Sequence, residues 1–168
     1  MRATGFGILN YNSETNEVWP TNCGIVKTPT KFKGLDALLY MIDQVRTISQ
    51  RECFQECSRV VVEFPAAFYN PKFSGGTMTP LAAVSGASMV LFQNPEKNRI
   101  VPAYPGMWNG CKKKETTSKL IQGILGDVQE WEFDDNPKNE KDFEHAIDAI
   151  GMAYWLMERD YFERSSQK

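Results

Sequence analysis

His145 and Asp148 stand three residues apart, and Glu144 stands one turn before Asp148. At helical spacing, residues three and four apart project as neighbours from one surface. A histidine beside an aspartate is either a structural hydrogen-bonding pair or part of a cation site. His145 is the only histidine in the chain. The residues around it (Ala146, Ala149, Gly151, Ala153) are small, as if something must approach closely. Another carboxylate, Glu63, ends the run Val60-Val61-Val62 two residues before Pro65. The C-terminal end of a central strand is where open α/β sheets place ligand chemistry. A solvent-facing glutamate at a strand end is the plainer alternative. Lys112, Lys113 and Lys114 form one basic cluster with Lys119, and Lys27, Lys31 and Lys33 punctuate a loop. Both clusters suit local contact with phosphate or an ordinary solvated surface.

These residues need elements to hold them. Thr4–Tyr11 alternates small or polar with apolar residues and reads as a strand, followed by a turn at Asn12–Asn16. Glu17–Trp19 and Cys23–Val26 read as two returning strands separated by Pro20. A helix is expected from Leu35 to about Cys57, burying Leu35, Leu38, Leu39, Ile42, Val45 and Ile48. Three consecutive valines then predict a strand buried on both faces, as in a sheet covered by helices on each side. Pro80 sits where a first helical turn is expected, opening a small-residue helix through Leu91. Arg99–Tyr104 reads as a strand, Pro105–Gly110 as a loop and Lys114–Leu125 as a helix. Gly126–Asn139 is a polar, acidic connection. The closing helix carries an apolar stripe of Phe143, Ile147, Ile150, Tyr154, Met157 and Tyr161. The order predicts an α/β fold with a mixed five-stranded sheet flanked by helices, in a single domain over residues 1–168.

Composition narrows the function classes. A content of 42% hydrophobic and 24% charged residues describes an ordinary globular chain with its own core. No apolar run approaches the roughly 18–20 residues of a membrane span, and no signal-peptide pattern opens the chain, so a cytoplasmic location is expected. The formal charge of −2 gives no global attraction to nucleic acid. Four cysteines (Cys23, Cys53, Cys57, Cys111) lack both disulfide-scaffold and zinc-pair spacing, and free thiols are expected. Gly75-Gly76 lacks the spacing and lysine of a phosphate-binding P-loop.

Four stretches, taken in order, resemble the RuvC-type Holliday-junction resolvases of the ribonuclease H-like superfamily, especially the short phage-like members. Thr4-Gly5-Phe6-Gly7-Ile8 resembles the end of that family's first-strand motif, Asp-Pro-Gly/Ser-x-x-x-Thr-Gly-aromatic-small-aliphatic. Val60-Val61-Val62-Glu63 is similar to its aliphatic strand ending in Glu. Trp108–Glu115 resembles a Trp-x-Gly-x-x-x-Lys-Glu segment, and His145–Ala149 the closing (Asp/His)-x-x-Asp-Ala helix. The resemblance implies a metal-dependent endonuclease acting on branched DNA such as Holliday junctions, working as a homodimer that makes two symmetric nicks. It implies two Mg²⁺ (or Mn²⁺) ions about 4 Å apart. Glu63 and Asp148 would be ligands, His145 a ligand or an orienter of water, and Lys114 a contact to phosphate or to developing charge. Lys112 and Lys113 would follow the DNA backbone, and Phe68 or Tyr69 (or Phe64) would stack on opened bases. Glu144 is a rival ligand by geometry that the family pattern does not favour.

One departure stands out. Counted back from Thr4, the family's first-strand aspartate falls ahead of Met1. Either the natural protein begins upstream, or it lacks the ligand bridging both ions; the first is expected, and the chain as it stands would then be a poor nuclease. Two other readings compete. One is an inactive ribonuclease H-like module that binds branched nucleic acid or a protein partner. The other is an actin-like ATPase, for which the chain is too short and lacks paired Gly-rich phosphate loops.

Overall fold

The computed structural model describes residues 3–65, 75–110, 113–134 and 139–165. Strands β1 (Ala3–Tyr11) and β2 (Val18–Lys27) come first, followed by helices α1 (Gly34–Ser49) and α2 (Glu52–Gln55). Strand β3 (Arg59–Glu63), helix α3 (Gly75–Phe92), strand β4 (Arg99–Ala103) and the single turn α4 (Pro105–Trp108) follow. Helix α5 (Lys114–Leu125), a 3-10 turn at Val128–Glu130 and helix α6 (Glu140–Ser165) complete the order. The chain divides into two compact units: Met1–Thr4 with Val26–Met107, and Gly5–Ile25 with Trp108–Lys168. No helix among the described residues is long and apolar enough to cross a membrane.

In the first unit, β3 and β4 run parallel with Val61 opposite Val101 and Glu63 opposite Ala103. Parallel strands need a crossover, and α3 supplies it. Met41, Val45 and Ile48 of α1, Phe54 of α2, Val84 of α3 and Val101 and Ala103 of β4 are buried. Phe54 meets Phe92 edge-on, with ring centroids 5.9 Å apart. Several expectations shift here. The three valines are half-buried rather than enclosed on both faces, because β3 has only β4 as a ladder partner among the described residues. The buried row of α1 is turned from the expected one, so Leu35 and Leu39 face outward. The helix also stops at Ser49 instead of running to Cys57. There the Ser49 hydroxyl donates to the Arg46 carbonyl at 2.8 Å, competing with the main-chain ladder, and the Gln55 amide donates to the Ser49 carbonyl. Arg51 is extended, and a separate turn delivers Phe54 to the core. Pro80 lies inside α3 rather than in its first turn, removing one helical hydrogen bond.

In the second unit, β1 and β2 pair across a short connection, which only an antiparallel hairpin permits. Its turn is closed by Asn12 N–H donating to Glu17 O at 2.9 Å, while the Asn12 side chain accepts from Glu14 N–H at 2.9 Å. Strand β2 continues through Pro20 as one element; a strand in a two-stranded ladder keeps an edge where a missing donor is tolerated. The described part of the acidic connection, up to residue 134, is more ordered than its composition implies. Phe133 bridges Cys23 in parallel, with Cys23 N–H donating to Glu132 O and Asp134 N–H to Cys23 O, each at 2.9 Å. The core of this unit joins Cys23, Ile121, Val128, Trp131, Ala146, Ile147 and Ile150. Tyr161, expected on the apolar stripe of α6, is exposed, and Leu156 takes the buried place. The four strands lie in two two-stranded ladders among the described residues, in place of the expected five-stranded sheet.

Candidate functional site

Helix α6 presents its polar residues opposite the N-terminal end of α5. The two helices pack through Ile121 and Gly151: a Cβ at Gly151 would stand 3.3 Å from Ile121 Cγ1 and 3.1 Å from the Trp108 ring. Strand β1 reaches α6 from another side. A Cβ at Gly5 would collide with the His145 carbonyl, and one at Gly7 would lie 2.7 Å from Ile150 Cδ1. The small residues flagged around His145 therefore serve close approach between a strand and a helix, and the strand's own glycines supply most of the room.

Lys114, the first residue of α5, closes this surface. Its Nζ lies 3.0 Å from Asp148 Oδ2 and 3.3 Å from Glu144 Oε2, so one ammonium neutralises two carboxylates. Asp148 is the more enclosed partner, its side chain 26% exposed against 45% for Lys114. Burial pulls the Lys114 ammonium down, but the hydrogen bonds and charges of Asp148 and then Glu144 outweigh it and hold its pKa above the ordinary lysine value. Burial raises the Asp148 carboxyl, and the hydrogen bond and charge of Lys114 only partly offset that rise. The rise at Asp148 follows from its deeper position, where desolvation dominates, and the geometry of a shared ammonium governs both. His145 is half-buried; burial first, then the Lys114 charge, lower its pKa, which favours the neutral imidazole near neutral pH.

The predicted site residues are thus distributed unevenly. Lys114, His145 and Asp148 come together in the second unit, and Glu144 joins them through the lysine. Glu63 belongs to the first unit, exposed at the end of β3; its carbonyl accepts from Ser85 Oγ at 2.7 Å. Lys113 is exposed at the N-cap of α5. Lys112, Cys111, Phe68 and Tyr69 lie outside the described residues. Phe64 meets Tyr104 edge-on at 6.3 Å, so it is engaged within its own unit. Among the described residues no three His, Cys, Asp or Glu side chains are grouped to hold a metal ion. The Glu144–Asp148 pair nevertheless offers hard oxygen donors converging on one cation. That suits Mg²⁺, which keeps several waters and takes one or two carboxylates plus substrate phosphate. The Glu144–Lys114 contact was not foreseen. Its signal was available in the i,i+4 spacing of Glu144 and Asp148, two like charges that need a cation between them.

No protein-family model matches the chain, and no curated protein does. Among solved structures it is similar to Thermus thermophilus RuvC, at 18% identity and a TM-score of 0.60, covering 92% of this chain and 86% of that one. T. thermophilus RuvC in complex with a Holliday junction substrate aligns at 16% identity with the same TM-score of 0.60, over 92% of this chain and 85% of that one. The chain has a RuvC-like α/β fold.

Proposed function

We propose that the chain is a metal-dependent endonuclease that cuts branched DNA, with the Holliday junction as its substrate class and the ribonuclease H-like superfamily as its home. The observation that supports this most is the meeting of Lys114 with Glu144 and Asp148 beside His145, at the two helix positions marked by the sequence resemblance. The likeness to a RuvC bound to a Holliday junction substrate points the same way. Asp148, with Glu144, would hold Mg²⁺ or Mn²⁺, and a second ion is part of the same reading. Bound divalent ions supply a hydroxide nucleophile and stabilise the leaving oxygen in phosphodiester hydrolysis. The residues of the chain do the rest. Neutral His145 accepts a proton from water or orients it, and Lys114 presents positive charge to a phosphate oxygen. Lys112 and Lys113 hold the backbone by charge, and Phe68 or Tyr69 stacks on opened bases.

Two symmetric nicks call for two copies, so the working form is a homodimer. Helix α3 offers an open strip at Gly86, where a Cβ would meet nothing within 4 Å, beside exposed Val90. Sedimentation giving a monomer at micromolar concentration removes this part.

The pairing of Glu144 and Asp148 with Lys114 favours one alternative, an inactive module that binds branched DNA or a protein partner. A single experiment separates the readings. The chain is incubated with a labelled four-way junction and a matched linear duplex, with Mg²⁺, Mn²⁺ or EDTA. Metal-dependent cleavage confined to the junction and lost in Asp148→Asn supports the enzyme. Junction binding without cleavage by any metal supports the inactive module.

A further inference from the structure

We propose that Glu144 and Asp148 form a cation-exchange site in which the Lys114 ammonium is the resident cation, and that a divalent ion enters by displacing it. This rests on the metal-dependent reading above and adds to it a residue-level device. Two carboxylates four residues apart on a helix repel each other unless a cation sits between them. Here one does: the same Nζ lies 3.0 Å from one carboxylate oxygen and 3.3 Å from the other. The oxygens nearest a divalent ion at this pair would be those now facing the ammonium, so lysine and metal cannot both occupy the place.

The construction favours exchange over a permanent bridge. Lys114 opens α5, whose packing on α6 rests further along at Ile121. Its anchor is therefore fixed while its four-carbon stem is free to turn outward. Nearly half of the Lys114 side chain is exposed, so the ammonium has a path to water. Once released, the same ammonium stands beside the metal position, where it can contact a phosphate oxygen. Lys114 thus keeps the metal-free pair stable, weakens divalent binding, and becomes a DNA contact only after the ion has entered.

The test uses the full chain without DNA. Manganese binding to the wild type, Lys114→Met and Lys114→Gln is measured by calorimetry and by electron paramagnetic resonance of free Mn²⁺. Thermal melting is recorded with and without Mn²⁺. Removing the competing cation should tighten Mn²⁺ binding at least about tenfold in both variants. Their metal-free melting temperature should fall, and Mn²⁺ should raise it more than it raises that of the wild type. Adding Glu144→Gln or Asp148→Asn to either variant should abolish the gain. Equal or weaker Mn²⁺ binding by both variants overturns the exchange. A wild type that cleaves a junction with Mg²⁺ while the variants show no tightening defeats the exchange and leaves the nuclease reading standing. Tighter binding in the variants without cleavage by any form upholds the exchange and defeats the nuclease reading.

Discussion

Substituting Gly5 by alanine should be among the more damaging single-methyl changes in the chain. The added Cβ would collide with the carbonyl of His145 and stand 3.0 Å from the Ala146 nitrogen. Both neighbours are main chain in the second turn of α6, so neither can turn aside as a side chain would. Gly7→Ala is the matched control. Its Cβ meets Ile150 Cδ1 at 2.7 Å, and Ile150 Cγ1 and Cys23 Sγ at 3.2 Å, all of them side-chain atoms. Overpacking costs roughly 1–3 kcal/mol, and more where backbone must move. Alanine in a strand recovers about 0.5–1 kcal/mol through the unfolded state. The net expectation is a loss of about 2–3 kcal/mol for Gly5→Ala and about 0–1 kcal/mol for Gly7→Ala. For a chain of this size that lowers the melting temperature by roughly 5–10 °C in the first case and by about 3 °C or less in the second. Urea denaturation and calorimetry on both variants provide the measurement. A Gly5→Ala protein that melts no lower than Gly7→Ala would refute the close strand–helix approach, and with it the placement of His145.

Three further outcomes follow from named contacts. Burial first, then the charges of Asp134 and Glu132, push the Cys23 thiol up to about 12 from its ordinary value of 9.0. The folded state therefore holds its proton longer than the unfolded state does; this stabilisation is complete below pH 9 and is lost as pH rises toward 12. Between pH 9 and 10 it should amount to roughly 1 kcal/mol of declining stability, visible in urea titrations and absent from Cys23→Ala. Ile150 is fully buried, and Ile150→Ala should cost about 2–5 kcal/mol in the same assay. Exposed Lys113 should act on phosphate by charge alone, so Lys113→Ala should reduce the salt slope of junction binding by about one without changing which DNA is preferred.

Much of this arrangement was legible in the residues. Strand β1, strand β3 and helix α5 lie where alternation, the valine run and helical spacing predict them. The spacing of Glu144, His145 and Asp148 showed that they share a helix. What escaped was set by tertiary contact. The α1 break depends on the Ser49 hydroxyl and the Gln55 side chain capturing main-chain carbonyls, and no periodicity records that. Leu35 and Leu39 looked buried by type, but the face of α1 that meets the core is set by Met41, Val45 and Ile48. The bridge from Phe133 to Cys23 lies in a stretch whose acidic composition reads as solvated, and buried Val128 and Trp131 hold it in place.

The least legible feature was which neighbour Asp148 would take, and helix geometry explains the outcome. Residues four apart are offset by about 40° around the helix axis and residues three apart by about 60°, in opposite senses. His145 and Glu144 therefore flank Asp148 on different sides. The main chain at His145 is covered by Gly5 of β1, which leaves no room for an added methyl group. Asp148 and Glu144 instead both reach the start of α5, where Lys114 is the cation available to each. A sequence motif that pairs His145 with Asp148 describes the order of residues along the helix. The cation between Glu144 and Asp148 follows instead from where α5 begins, which places the Lys114 ammonium within 3.3 Å of both carboxylates.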